Sequence, residues 1–273
     1  QSLVGSLNWL SISTRPDIST ITNMLAKYNS QPTKQHLTAA KRVLRYLKGS
    51  KHLTLTFSNQ ENSVVTSFIR FSLPSHVTAL TDANWGPQDQ HVPQPNKQYQ
   101  PVELFKTRSI SGYLLWCNGP IHWTSKRQTI TARSSAESEI YATDEATKAI
   151  LYLRNIIKDL DILHDFMPHT TNVYNDNAAC VCWSSNLTTK GLRHVQIREN
   201  AIRESVQNKL IKVLHIEGKI NPSDIFTKED KDAIHFLDIR KVLLSPIANN
   251  IVSPSSVTST VSEGGVVVQP LRT

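Results

Sequence analysis

Cysteine is scarce in this chain: Cys117, Cys180 and Cys182 are the full complement, and none sits in a CxxC spacing. So sparse and odd a set argues against a disulfide framework or a paired-thiol metal knuckle and implies a reducing compartment. Cys180 and Cys182, two apart, either share one face of a short strand or straddle a helical turn. No apolar run approaches the length of a membrane span, and the N-terminus lacks a basic region followed by an apolar one. The expectation is a soluble, intracellular protein, cytoplasmic or nuclear, with no membrane partner. Acids are also missing between Asp17 and Glu61, a stretch that holds seven lysines and arginines.

What is present is enough to fold. A length of 273 residues with 39% apolar content allows one large domain, or a smaller one with extensions, around a buried core. The net charge of +8 and pI near 9.4 point to a polyanionic partner, nucleic acid ahead of an acidic membrane surface. Part of that charge lies in PTKQHLTAAKRVLRYLKGS, whose pattern predicts an amphipathic helix from Lys34 to a glycine stop at Gly49. Projection places Lys34, Lys41, Arg45 and Lys48 within an arc of roughly 60°, opposite Ala40, Val43, Leu44 and Leu47. Such a stripe, lacking acid partners one turn away, is either a phosphate-contact surface or a solvated face.

Along the rest of the chain, Leu3 to Leu10 and Asp17 to Tyr28 carry helical patterns, with Pro16 suited to a first turn. A sequence that begins with Gln and enters a helix at once reads as a piece of something longer. HVTALTDA predicts a strand ending at Asp82, broken after Gly86-Pro87. Residues 87–106 read as a loop insertion rich in Gln and Pro. SISGYLLWC and IHWTS, separated by Asn118-Gly119-Pro120, predict a hairpin. A helix from Ser134 or Ser135 to about Leu160 follows, then a strand TNVYND ending at Asp176, a helical AACVCW, a helix over 194–209 and a strand IKVLHI. Asn221-Pro222-Ser223 opens a helical turn containing Asp224. This order predicts a mixed α/β sheet with helices packed on it. Residues 245–273, almost without charge, predict a disordered tail.

The segment TARSSAESEIYA organises the chemistry. At about 100° per residue, Glu139 shares a stripe with Ala142, Thr143, Ala146, Ile150 and Leu153. Glu137 falls roughly 160° away beside Asp144 and Lys148, on the expected solvent side. A carboxylate on a packing stripe is costly unless a cation or hydrogen-bond donors meet it, although a lone helix-start acid is also favoured by the dipole. Asp82, Asp176 and Asp224 occupy comparable positions at strand or helix ends. Should the four converge, their mutual repulsion calls for divalent cations, and all-oxygen ligation favours magnesium or manganese. Taken singly, Asp224 is a plausible helix cap and Asp176 an Asx turn. His215 and His194 read as structural residues. Trp85, Trp116, Trp123 and Trp183 offer base-stacking surfaces but read as core.

The segments SLVGSLNWLSISTRPDI and PTKQHLTAAKRVLRYLKGS, then TDANW, RSISGY, WTSKRQTITARSSAESEIYA, NDNAA, RHVQIRENAIRE and SDIFTK, run in a recognisable order. They resemble the reverse transcriptase/ribonuclease H connection and the ribonuclease H domain of copia-type LTR retrotransposon polyproteins, over about residues 2–243. The resemblance implies a helical connection over 1–60 and a ribonuclease H-like domain over 61–244, with a five-stranded mixed sheet and flanking helices. It implies an endonuclease that hydrolyses the RNA strand of RNA:DNA hybrids with two Mg2+ ions, or Mn2+, beside the reverse transcriptase of the same polyprotein. By motif, Asp82, Glu139, Asp176 and Asp224 match the catalytic, metal-ligating acids. Asn84 and Gln196 stand where the family often has Asp, and no Tyr-x-Asp-Asp polymerase motif occurs. A second reading is an inactive nucleic-acid-binding remnant held to duplex by its basic helix. A third is a purely structural connection module.

Overall fold

A computed structural model describes residues 1–57, 76–86, 108–160, 167–185, 193–228 and 233–246, with no side-chain description for 193–197 and 199. The expected insertion at 87–106 and the tail from 247 onward lie outside the described residues. Two helices open the chain, α1 (Ser2–Ser13) and α2 (Ser19–Ala26), joined through a 3-10 turn at Pro16–Ile18. Helix α3 (Lys34–Gly49) starts at a capping box, where Thr33 accepts from the His36 N–H and His36 accepts from the Thr33 N–H.

After the short β1 (Leu53–Thr54) come β2 (Thr78–Asn84), β3 (Ile110–Trp116) and β4 (Pro120–Arg127). The long α4 (Ser135–Leu160) follows, with Ser134 Oγ accepting from the Glu137 N–H at 3.1 Å, as an N-cap should. Then come β5 (Thr171–Asn175), α5 (Ala178–Ser185), α6 (Arg193–Gln207), β6 (Ile211–His215) and α7 (Ala233–Leu243). The strand β7 (Ser245–Pro246) closes the described chain.

The main sheet has the order β4-β3-β2-β5-β6. Strands β2, β3 and β4 are antiparallel neighbours, whereas β5 runs parallel to both β2 and β6. This is the expected ribonuclease H-like, five-stranded mixed sheet. Asn118 takes the left-handed conformation at the β3–β4 turn (φ 56°), which suits an Asn-Gly hairpin. One sheet face packs Leu80, Leu114 and Trp116 against Phe226 and Ile239; the other packs Ala79, Leu115 and Val173 against Ile140 and Ile150 of α4. A third apolar cluster, Leu7, Ile18, Leu25, Ala40 and Val43, holds the three N-terminal helices together.

Those helices dock on the sheet domain: Trp123 Nε1 donates to Ser11 O at 2.6 Å, and Asn23 Nδ2 to Ser125 O at 3.1 Å. Several expectations need correction here. Ser245 and Pro246, placed in the tail from sequence, pair with Thr54 and Leu53 in a two-stranded ladder. Leu44, assigned to the apolar side of α3, is 41% exposed, whereas Ala40 and Val43 are buried in the cluster with Ala39, Tyr46 and Leu47 packed against it. For Cys180 and Cys182 the helical alternative holds: both lie on α5, the first buried and the second exposed.

Candidate metal centre

Three backbone decisions bring acids together. Residues Thr81 and Asn175 pair in parallel, so Asp82 and Asp176, next along each chain, come side by side at the carboxyl ends of adjacent strands. Such ends are where open α/β sheets place their sites. The third acid arrives on the 3-10 turn Pro222–Phe226. Asn221, fully buried, accepts from the Ser223 N–H and donates to Thr81 O at 2.9 Å, tying that turn to the strand bearing Asp82. Gly112 faces Asp82 across the β2–β3 ladder, and its missing side chain leaves room for Phe226 and Thr227.

The result is a cluster in which one carboxylate oxygen each from Asp82, Asp176 and Asp224 lies within 4.8 Å of the others. Glu139 stands beside this trio rather than inside it. Its carboxylate accepts from the Ala83 N–H at 3.1 Å and from Asn175 Nδ2 at 2.9 Å. Periodicity therefore gave the orientation of Glu139 correctly, but Glu137 was misplaced: it is buried, and accepts from the Arg133 N–H at 2.7 Å. Asp144 is buried too, between Lys148 at 2.8 Å and Arg198 at 2.5 Å. The loop before α4 and the packing of α6 cover a flank that helical projection alone assigns to solvent.

Charge crowding shows in the proton affinities. Burial, reinforced by the charge of Asp82, holds the Glu139 carboxyl well above its usual range. The same two causes raise Asp176, and push Asp224 up to about 8. Lys228 answers part of this charge, with Nζ 2.8 Å from Asp224 and 3.3 Å from Asp82. Burial opposes its ammonium, but the charges of Asp82 and Asp224 outweigh that and raise its pKa. The Thr227 hydroxyl donates to Asp82, and His235 Nε2 lies 3.8 Å from Asp224.

Sequence reasoning passed over Lys228, Thr227, Asn175 and His235. The SDIFTK segment carried a readable hint, since a lysine one turn after an acid reaches it on a helical backbone. His215 is exposed and its Nε2 is 3.1 Å from the Asp176 carbonyl. Trp116 and Trp123 are core as expected, whereas Trp85 is 50% exposed, its Nε1 donating to Ala132 O at 3.0 Å. The basic residues Lys34, Lys41, Arg45 and Lys48 are all exposed on α3. A groove of about 590 Å³, lined by residues including Arg42, Tyr46, Lys228 and Phe236, runs between the N-terminal helices and α7.

Three converging, all-oxygen, partly charge-frustrated ligands fit a hard divalent cation. The raised Asp224 predicts a pH signature. A carboxyl with a folded pKa above its unfolded value near 3.9 favours folding when protonated, so its contribution falls as pH rises from about 4 toward 8. In chelator, the melting temperature of the native protein relative to Asp224→Asn should therefore drop between pH 5 and 8.5. A flat or rising difference would count against the crowded-carboxylate description.

No protein-family model matches the chain. The retrovirus-related Pol polyprotein from transposon RE1 of Arabidopsis thaliana is 28% identical over 231 residues, and that from transposon TNT 1-94 of Nicotiana tabacum 29% identical over 229 residues. These alignments cover 84% and 83% of this chain but 14% and 15% of the relatives, so the chain spans about one seventh of their length. Among solved structures, LC11-RNase H1, isolated from compost by a metagenomic approach, aligns with 56% of this chain and 94% of its own at 13% identity, with a TM-score of 0.37. On the sequence similarity, the chain is a homologue of the retrovirus-related Pol polyproteins of copia-type transposons.

Proposed function

We propose that this chain carries the ribonuclease H activity of a copia-type Pol polyprotein, hydrolysing the RNA strand of RNA:DNA hybrids. The observation that carries the reading is the meeting of Asp82, Asp176 and Asp224 oxygens within 4.8 Å at the ends of parallel strands. Asp82, Glu139, Asp176 and Asp224 would hold two Mg2+ ions, or Mn2+, which when bound supply a water nucleophile at neutral pH and charge neutralisation for the leaving oxygen. Asn175 and the Ala83 N–H orient the Glu139 carboxylate, and Thr227 orients Asp82. Asn221 fixes the turn that presents Asp224. Lys34, Lys41, Arg45 and Lys48 form the surface on which the phosphate backbone of the hybrid rests. The helical segment 1–60 serves as the connection to the reverse transcriptase of the same polyprotein.

The test is cleavage of a hybrid labelled on the RNA strand, with Mg2+ or Mn2+, by the native protein and by Asp82→Asn. We expect the substitution to abolish cutting while leaving hybrid binding in place; equal cutting by the two proteins overturns the site. The exposed basic stripe of α3 is independent of the acids and favours one alternative, a binding remnant without activity. Salt-sensitive hybrid binding by the native protein with no cleavage at any Mg2+ or Mn2+ level would select that reading instead.

A further inference from the structure

The geometry points to Lys228 as a built-in counter-cation that occupies the acid cluster and must be displaced for a divalent metal to bind. The inference rests on the proposed metal site and adds to it a residue that sets metal affinity. Lys228 Nζ lies 2.8 Å from Asp224 Oδ1 and 3.3 Å from Asp82 Oδ1, bridging two of the three clustered acids. Among the described residues, no other lysine or arginine forms an ion pair with Asp82, Glu139, Asp176 or Asp224. An ammonium seated on those two oxygens competes with a dication for the same carboxylates, because both are positive and the two cations repel at such close range.

The arrangement also allows exchange. Asp82 and Asp224 have side chains 1% and 8% exposed and are fixed by strand and turn, whereas the Lys228 side chain is 38% exposed. Its four-carbon stem can swing the ammonium outward while the acids stay in place. The displaced charge remains tethered four residues from Asp224, at the mouth of the site, where a nucleic-acid phosphate can meet it.

The experiment measures Mn2+ binding by calorimetry, without substrate, on metal-stripped native protein, Lys228→Met, Lys228→Gln and Lys228→Arg, with melting temperatures in chelator. Both neutral variants should bind Mn2+ about tenfold more tightly or better, since one competing charge is gone, while Lys228→Arg stays near the native value. In chelator the neutral variants should melt below the native protein, because Asp82 and Asp224 lose their resident cation. Equal or weaker Mn2+ binding by both neutral variants, with native protein that does bind Mn2+, overturns the inference and leaves the metal site standing. If neither native protein nor neutral variants bind Mn2+, both the inference and the metal-site reading fall. Binding by the neutral variants alone supports the inference in its strongest form.

Discussion

Gly112→Ala should remove hybrid cleavage and destabilise the fold together, although residue 112 bears no functional group. A Cβ at Gly112 would fall 2.7 Å from both Phe226 Cβ and Thr227 Cγ2, and 3.3 Å from the Ser223 carbonyl oxygen. Phe226 is completely buried and its Cβ moves only with its backbone, so relief requires the whole turn from Pro222 to move off the sheet. That turn carries Asp224 and leads into Thr227 and Lys228, which touch Asp82. Overpacking of this kind costs about 1–3 kcal/mol. A shift of about 1 Å in a catalytic ligand costs on the order of a hundredfold in rate, which is the activity loss we expect.

Gly5→Ala is the matched control. It lies in α1 with nothing within 4 Å of its would-be Cβ, and should be neutral or stabilising by up to about 1 kcal/mol. Thermal melts and hybrid cleavage of the two variants settle the matter. Native cleavage together with a native melting temperature in Gly112→Ala would remove the role assigned to this close approach.

Asp17→Ala should be the most destabilising single truncation in the N-terminal helices. The Asp17 side chain is fully buried and accepts from Arg15 Nε at 2.9 Å and Nη2 at 2.7 Å, and from the Tyr46 hydroxyl. Arg15 also donates to Ser50 Oγ at 2.7 Å, and Arg240 of α7 donates to the Tyr46 hydroxyl at 3.2 Å. One network thus ties the α1–α2 junction to the end of α3 and to α7. Truncating Asp17 leaves the Arg15 guanidinium, 8% exposed, buried beside no anion, a defect worth about 3–5 kcal/mol.

At about 2–4 °C per kcal/mol for a chain of this size, the melting temperature should fall by roughly 6–20 °C. The double variant Arg15→Met/Asp17→Leu should recover most of the loss, because it removes the orphaned charge as well as the pair. A fall of less than about 2 °C in Asp17→Ala, or no recovery in the double variant, would show that the pair is not what holds this junction.

Much of this protein is legible in its residues. Apolar alternation placed β2, the β3–β4 hairpin and β5, and turn chemistry placed Asn118 and the N-cap of α4, because these features depend on neighbours a few positions away. A period of 3.6 turned Glu139 toward the sheet for the same reason. Motifs in order supplied the sheet architecture and the expectation that four acids converge, of which Asp82, Asp176 and Asp224 do. The failures share a cause. Glu137 and Asp144 were assigned to solvent because projection of a single helix cannot register the loop before α4 or α6, which bury them.

Ser245 and Pro246 looked like tail because their partners, Leu53 and Thr54, lie far back in the sequence. Local pattern therefore determined which segments become helix or strand and which acids face inward. Only tertiary structure decided that three of those acids meet within 4.8 Å, that Glu139 stands aside on Asn175 and Ala83, and that Lys228 fills the gap. The physical reason is that electrostatic contact falls off over a few ångströms in space, while sequence spacing records distance only along the chain.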